Sequence, residues 1–229
     1  CATKFLNAGG DFSPEYFARI TPKEFAEIFS DDNGPIVFPD LETRYQLTRA
    51  YGEFFFEMRA SPLDGLEDTN ASKLPLKIFL EKTVIIPGYR EDPLLKKNVL
   101  LAMALANRPE HFLKVGPDEE WPPIVDYHLM RLPLRLGLVR LDEYEEQENV
   151  SRLWVDEKTE NKIRTTVYYT MLSLIAESGK TMAFVDHLLW SGRKYCPEMT
   201  EPECLKCIFC DVCEKHTELF QPVFRTTAY

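Results

Sequence analysis

Apolar residues recur every three or four positions along most of the chain, which is the spacing of amphipathic helices rather than of strands. The longest such pattern runs from Leu41 to Met58, and further patterns cover residues 129–138, 163–176 and 181–190. Each of these four segments is therefore predicted to form a helix with one buried face.

Helix start signals stand in front of several other segments. Ser13-Pro14 and Thr21-Pro22 each place a hydroxyl group before a proline, and Glu24 completes a capping box with Thr21. Asp92-Pro93 introduces an apolar segment that ends before Pro109. These signals predict three more helices.

Strand signals are short and few, at residues 36–38 and 83–86. Residues 60–73, 115–123 and 142–160 are polar or rich in turn-forming residues, and we interpret them as surface segments. The sequence therefore predicts a mostly helical, all-α fold of about eight to eleven helices.

Composition and charge limit the classes of function. The chain has 229 residues, of which 45% are hydrophobic, so it can bury a core and is not a disordered polar chain. Its net charge of −10 disfavours a broad face for duplex DNA, which needs clustered Lys and Arg. Residues 142–160 carry much of the excess, with eight acids and two bases, whereas residues 125–140 hold one acid and three arginines. A phosphate-bearing substrate near residues 125–140 is therefore not excluded.

Five of the six cysteines lie between Cys196 and Cys213. A disulfide framework would spread its cysteines along a small secreted chain, so the cluster indicates metal ligation in a reducing compartment. Two Cys-x2-Cys pairs around a longer finger, the usual zinc pattern, are absent, and the compact spacing favours a [4Fe–4S] cluster. Zinc and unliganded thiols are the alternatives. We therefore expect an intracellular protein, cytoplasmic or nuclear, and we expect it to be a monomer. We expect no membrane partner, because the longest apolar run, residues 99–106, is too short to span a bilayer.

The cysteine loop with its flanks, residues 191–214, resembles the iron–sulfur loop of the endonuclease III group of helix-hairpin-helix DNA glycosylases. The first interval between cysteines is one residue longer than is usual in that family. The resemblance implies that one cysteine, Cys210, is spare and that the other four are the ligands. Those four are Cys196, Cys204, Cys207 and Cys213.

A second segment resembles the same family. Val125-Asp126-Tyr127-His128 is followed by Arg131 and by Arg135-Leu136-Gly137. The resemblance implies a two-lobed helical N-glycosylase in which Asp126 is catalytic. Cleavage of a base–sugar C–N bond develops positive charge on the sugar, which a carboxylate can stabilise while it orients water. The alternative is that Asp126 only caps the following helix.

Four further residues are predicted to bind the substrate. Arg131 can meet a phosphate, although a merely solvated role is the alternative, and Tyr127 follows the aspartate directly. Asp186 and Trp190 share a helix face, so they can form the wall of a base-stacking pocket. The alternative is that Trp190 is a core residue and Asp186 a surface residue. His128 is expected to pack or to support the aspartate rather than to act as a base.

The resemblance to DNA glycosylases breaks before the aspartate. Residues 104–123 contain a single glycine, Gly116, so the family's glycine-rich phosphate-binding hairpin is missing. No lysine occupies the position that forms a Schiff base in the bifunctional members, which implies a monofunctional enzyme. Residues 89–97 and 186–190, with Asp126-Tyr127, are also similar to queuosine-nucleotide N-glycosylases of queuine salvage, which act on a small nucleotide and ordinarily lack the cysteine loop.

Together the two resemblances imply a single two-lobed helical unit, with lobes of approximately residues 25–123 and residues 1–24 plus 124–229. The expected function is an N-glycosylase for a base in DNA, as in base-excision repair, or for a small modified nucleotide such as queuosine monophosphate. A non-catalytic iron–sulfur protein that binds nucleic acid and a redox carrier are the alternatives from other classes.

Overall fold

The computed structural model describes residues 2–30 and 39–228, and within these ranges the chain is mostly helical. The described part contains eleven α-helices and no strand, apart from an isolated bridge between Trp154 and Val223. In chain order, α1 to α11 are Ala2–Asn7, Pro14–Phe17, Pro22–Phe29, Leu41–Met58, Pro62–Asn70, Pro75–Thr83, Lys96–Asn107, Tyr127–Leu136, Glu143–Val150, Glu157–Ser178 and Met182–Gly192. The all-α prediction is confirmed for these residues.

The helix starts follow from the capping groups that the sequence supplies. The Ser13 hydroxyl accepts a hydrogen bond from the Tyr16 amide at 3.2 Å. Thr21 and Glu24 form the predicted capping box, with reciprocal bonds of 3.2 and 2.8 Å. The Asp92 carboxylate accepts from the backbone at the start of α7, including the Lys96 amide at 2.8 Å. α4 begins and ends where its apolar pattern does.

Two local predictions are wrong. Residues 62–70, in a segment predicted to be a surface loop, form α5, because Ser61 caps the segment and Pro62 fits its first turn. Residues 142–160 are mostly exposed, as predicted, and they include α9, which Asp142 caps. The predicted strand at 83–86 is instead the end of α6 and a turn. The other predicted strand, at 36–38, lies outside the described residues.

The chain forms two compact units, one ending at Glu119 and the other spanning Glu120–Thr227. The expectation placed residues 1–24 with the second half, whereas α1 and α2 pack on α3 and α4 within the first unit. A β-carbon on Gly52 of α4 would lie 2.2 Å from the Ala18 amide nitrogen, so the absence of a side chain at this position lets α2 and α4 pack closely.

The second unit is built around α8. Every residue of this helix from Leu129 to Leu136 is buried, although it includes Pro133 and two arginines, Arg131 and Arg135. α10 and α11 pack against it, and the segment after residue 193 completes the core. No helix in the described ranges is both long and apolar enough to cross a membrane.

Candidate functional site

Asp126 stands at the N-terminus of α8, as the sequence predicted. Its Oδ1 accepts the backbone N–H groups of His128 at 2.9 Å and Leu129 at 3.0 Å. Its other oxygen, Oδ2, accepts no hydrogen bond from any residue in the described ranges. The helix N-terminus therefore fixes one carboxylate oxygen and leaves the second available.

Asp186, in α11, is the second carboxyl group of this region. Burial and, to a smaller extent, the negative charge of Asp126 raise the Asp186 pKa to about 6, while His187 acts in the opposite direction. The two aspartates thus interact and have different surroundings. Asp186 therefore keeps its proton to a higher pH than an ordinary aspartate does, as in carboxyl pairs whose two members take different roles.

His128 lies beside these carboxyl groups. Its Nδ1 lies 3.2 Å from Nη2 of Arg131, and because a guanidinium can only donate, Nδ1 must accept and the ring proton must sit on Nε2. Burial lowers the His128 pKa, and the charges of Arg131 and Arg193 lower it further, against the effect of Asp126. A neutral histidine that supports the start of α8 matches the supporting role expected for it.

Tyr127 and Trp190 are the aromatic residues of this region. Tyr127 is 45% exposed, and its ring centroid lies 4.0 Å from that of His128. Trp190 is 43% exposed, so it is not a core residue, and one face of its ring is covered by the guanidinium of Arg193, whose Cζ lies 3.4 Å from the ring centroid. Both rings keep accessible surface next to the carboxyl pair.

Arg131 is bonded within the protein rather than solvated. It is 2% exposed, and its Nη1 donates to Gln221 at 3.0 Å and lies 3.6 Å from Glu198. With its Nη2 on His128, both terminal nitrogens already have partners. This arrangement gives Arg131 a structural role and removes the main reason for assigning it a phosphate contact.

Arg135 connects α8 to the cysteine loop. Its Nε donates to the Leu219 carbonyl at 2.7 Å, and its Nη1 lies 2.9 Å from the Pro197 carbonyl and 3.3 Å from Sγ of Cys196. The guanidinium also lies 4.6 Å from the Phe220 ring centroid. Arg135 is buried, so like Arg131 it acts within the protein core rather than in solvent.

The thiols of the cysteine loop share one pocket that is partly open to solvent, and all five cysteines from Cys196 to Cys213 line it. A turn of 3-10 helix at Cys204–Lys206 forms part of its wall. Gly192 lets the loop approach α11, since a β-carbon there would lie 2.8 Å from both the Leu132 and the Phe209 side chains. Local turns thus bring together cysteines that are dispersed over eighteen positions of the sequence.

The donor set consists of thiols, which are ligands of both zinc and iron–sulfur clusters. Among the described residues, no three His, Cys, Asp or Glu side chains are arranged to hold one metal ion. Burial raises the Cys213 pKa, against a hydrogen bond from the Lys215 amide, and Cys196, Cys204 and Cys207 add to the rise, so each of these three lies near Cys213.

Hydrogen bonds to sulfur also fit a bound cluster. Arg135 donates to Cys196, and the Lys215 amide donates to Cys213 Sγ at 3.3 Å. Such donors stabilise the thiolate form that a ligand must take. The residues present therefore fit an iron–sulfur group.

Arg193 is the site residue that sequence reasoning missed. It was noted only as a flank of the cysteines, yet it lies three positions after Trp190 and seven after Asp186, which places all three on one helical face. That spacing was the available signal.

Comparisons with known proteins give no family. Neither the models of known protein families nor the curated protein sequences contain a match to this chain.

Proposed function

We propose that the protein is a monofunctional N-glycosylase that hydrolyses a base–sugar C–N bond, with Asp126 as its central catalytic residue. The observation that carries the proposal is the pair of interacting carboxyl groups, Asp126 and Asp186, in different environments. Pairs of this kind, one ionised and one protonated, are the usual machinery of glycosidic bond cleavage.

Asp126 has the features required of the charged partner. Two backbone amides hold its Oδ1, while Oδ2 is left to face a substrate. Positive charge that develops on the sugar ring is stabilised by this carboxylate, and the same oxygen can orient the attacking water.

Asp186 supplies the complementary acid. Its pKa of about 6, raised mainly by burial, leaves Asp186 mostly protonated below pH 6 and about one-tenth protonated at pH 7. We propose that this proton passes to the leaving base, which departs more easily as a neutral molecule. On this mechanism, base release should decline as the pH rises above about 6 and Asp186 becomes charged.

We further propose that Cys196, Cys204, Cys207 and Cys213 hold a [4Fe–4S] cluster with a structural role, leaving Cys210 free. A bound cluster would crosslink the loop to the end of α11. Protein purified without air should be yellow-brown and contain acid-labile sulfide in proportion to iron. A colourless protein with stoichiometric zinc would refute the cluster.

The substrate class is narrowed by the connection before α8. Residues 108–126 contain no helix, so this stretch does not form the helical hairpin through which the glycosylase superfamily holds a DNA phosphate. This favours a small modified nucleotide, or a DNA contact confined to the nucleotide being cleaved. A screen of base release from damaged duplex DNA beside a panel of modified nucleotides, including queuosine monophosphate, separates these substrates.

Asp126→Asn tests the catalytic assignment. Asparagine is also a good helix cap, so the fold and metal content should be retained while base release falls by at least about a hundredfold. Asp156→Asn is the matched control, because Asp156 caps α10 through a 2.7 Å bond to the Thr159 amide in the same unit. Equal base release by the two variants would remove Asp126 from the mechanism.

A non-catalytic binding protein is the second candidate, and one observation favours it. The bonds from Oδ1 of Asp126 to two amides are those of an ordinary helix cap, so capping alone is a sufficient reason for an aspartate at this position. Absence of base release from every substrate in the screen would favour this candidate.

A further inference from the structure

The guanidinium of Arg193 has no anionic partner in the part of the chain that the structure describes. It forms no ion pair or hydrogen bond there, and its Nε is buried without an acceptor. Its visible contact is the Trp190 ring, 3.4 Å from Cζ. A partly desolvated cation held only by an aromatic face retains most of its capacity to bind an anion.

The position of Arg193 relates it to the carboxyl pair. Arg193 follows Asp186 by seven residues, or about 10 Å along the helix axis, on the same face of α11. Its charge also acts on His128, whose backbone N–H is bonded to Asp126. The cation therefore lies near the two aspartates but is displaced from them along the helix.

The neighbouring cations are already neutralised or bonded. Arg131 lies 3.6 Å from Glu198 and Arg152 lies 3.5 Å from the same carboxylate, while Arg135 donates to the Leu219 and Pro197 carbonyls. Arg193 differs from the buried arginines of α8 because neither of its terminal nitrogens has a hydrogen-bond or ion-pair partner among the described residues.

We propose that Arg193, held in place by Trp190, binds a phosphate group of the substrate. The inference rests on the proposed function, because it assumes that the sugar to be cleaved lies at Asp126. A sugar at the carboxylates and a phosphate at Arg193 would place the base against the exposed aromatic surface of this region. Planar guanidinium groups bind phosphate through paired hydrogen bonds, which an ammonium group cannot reproduce.

Two sources can supply this phosphate: the 5′-monophosphate of a free nucleotide, or a phosphodiester of a DNA strand. Ribose 5-phosphate against ribose probes the first source. Duplex DNA with a tetrahydrofuran abasic-site analogue, against the same duplex without it, probes the second. Both probes lack a scissile base, so binding is measured without turnover.

Arg193→Gln removes the positive charge, whereas Arg193→Lys keeps the charge but loses the planar guanidinium group. Lys194→Gln is the matched control, because it removes one positive charge at the neighbouring, exposed position. We expect Arg193→Gln to weaken binding of one phosphate probe by about 10- to 100-fold. Arg193→Lys should recover part of this loss. Lys194→Gln should change the affinity for the same probe by less than about threefold. If DNA is the source, the slope of log affinity against log salt should also fall by about 0.9 in Arg193→Gln. Unchanged far-ultraviolet circular dichroism and metal content establish that the variants are folded.

The outcomes separate this inference from the proposed function. Loss of phosphate binding in Arg193→Gln, with retained binding in Asp126→Asn, supports the inference even if the substrate screen shows no base release. Base release that depends on Asp126, together with equal affinities of the wild type and Arg193→Gln for both phosphate probes, overturns the inference and leaves the glycosylase intact. Failure of the wild type to bind either probe also overturns it.

Discussion

Replacement of Asp186 by asparagine should make the protein more stable at neutral pH, and the gain should depend on pH in a defined direction. The carboxyl group has an ordinary pKa of 3.8, which burial, together with the charge of Asp126, raises to about 6 in the folded protein. Near neutral pH the folded chain must therefore keep a charge that its surroundings disfavour. Asparagine has a similar shape and no charge to desolvate.

The size of the effect follows from the two pKa values. The difference between 3.8 and about 6 corresponds to about 3 kcal/mol if the group is fully shielded from solvent. Asp186 is only partly buried, so solvent screening reduces the expected gain to about 1 to 2 kcal/mol.

The sign is fixed by proton linkage. Between pH 4 and pH 6 the folded state holds the Asp186 proton while the unfolded state has released it, so stability falls as the pH rises through this range and then levels off. The asparagine variant does not lose stability in this way. The difference in free energy of unfolding between the variant and the wild type should therefore grow by about 1 kcal/mol between pH 5 and pH 8.

Urea unfolding followed by circular dichroism at pH 5, 6, 7 and 8 measures this difference. Asp118→Asn is the control, because Asp118 is exposed in the other unit and its replacement should shift all four midpoints equally. Asp126→Asn should flatten the wild-type pH dependence only in part, since burial is the larger cause of the raised Asp186 pKa. Parallel stability curves for the wild type and Asp186→Asn across this range would refute the raised pKa and, with it, the role of Asp186 as the acid.

Two further predictions concern the connection between α8 and the cysteine loop. Arg135→Gln should lower the free energy of unfolding by about 2 to 4 kcal/mol in urea titrations, because buried carbonyl groups lose their donor. Arg140→Gln, which removes only an exposed ion pair, should cost less than about 1 kcal/mol, and equal losses would contradict this reasoning. Cys207→Ser should lose most of the bound iron measured after anaerobic purification, whereas Cys210→Ser should retain it. The reverse result would make Cys210, and not Cys207, a ligand of the cluster.

Local sequence signals were sufficient for most of the helices. The hydroxyl and carboxyl caps at Ser13, Thr21 and Asp126 act on amides two or three positions away, so their effect can be predicted from neighbouring residues. The cysteine spacing likewise identified thiols that do line one cavity.

Packing between residues far apart in the sequence could not be predicted from such local signals. Arg131 and Arg135 have the helical spacing of solvated residues, but partners 61 to 90 positions away hold them inside the unit. The packing of α2 on α4 is a contact of the same kind, because no short pattern records it. The spacing places Trp190 and Arg193 on one helical face, but only the structure shows that the Arg193 guanidinium stacks on the Trp190 ring.

The buried arginines of α8 also set an order of events for the nascent chain. Arg131 donates a hydrogen bond to Gln221, ninety residues later in the sequence, and Arg135 donates one to the Leu219 carbonyl, eighty-four residues later. At ordinary rates of synthesis this interval lasts on the order of 10 s, during which α8 has been made but its guanidinium groups still lack these partners. The first unit, by contrast, has its own core and all of its helices before Glu119. We therefore expect the first unit to fold while the ribosome is still translating, and the second to fold only after residue 221 has left the exit tunnel, in a late step that depends on distant contacts.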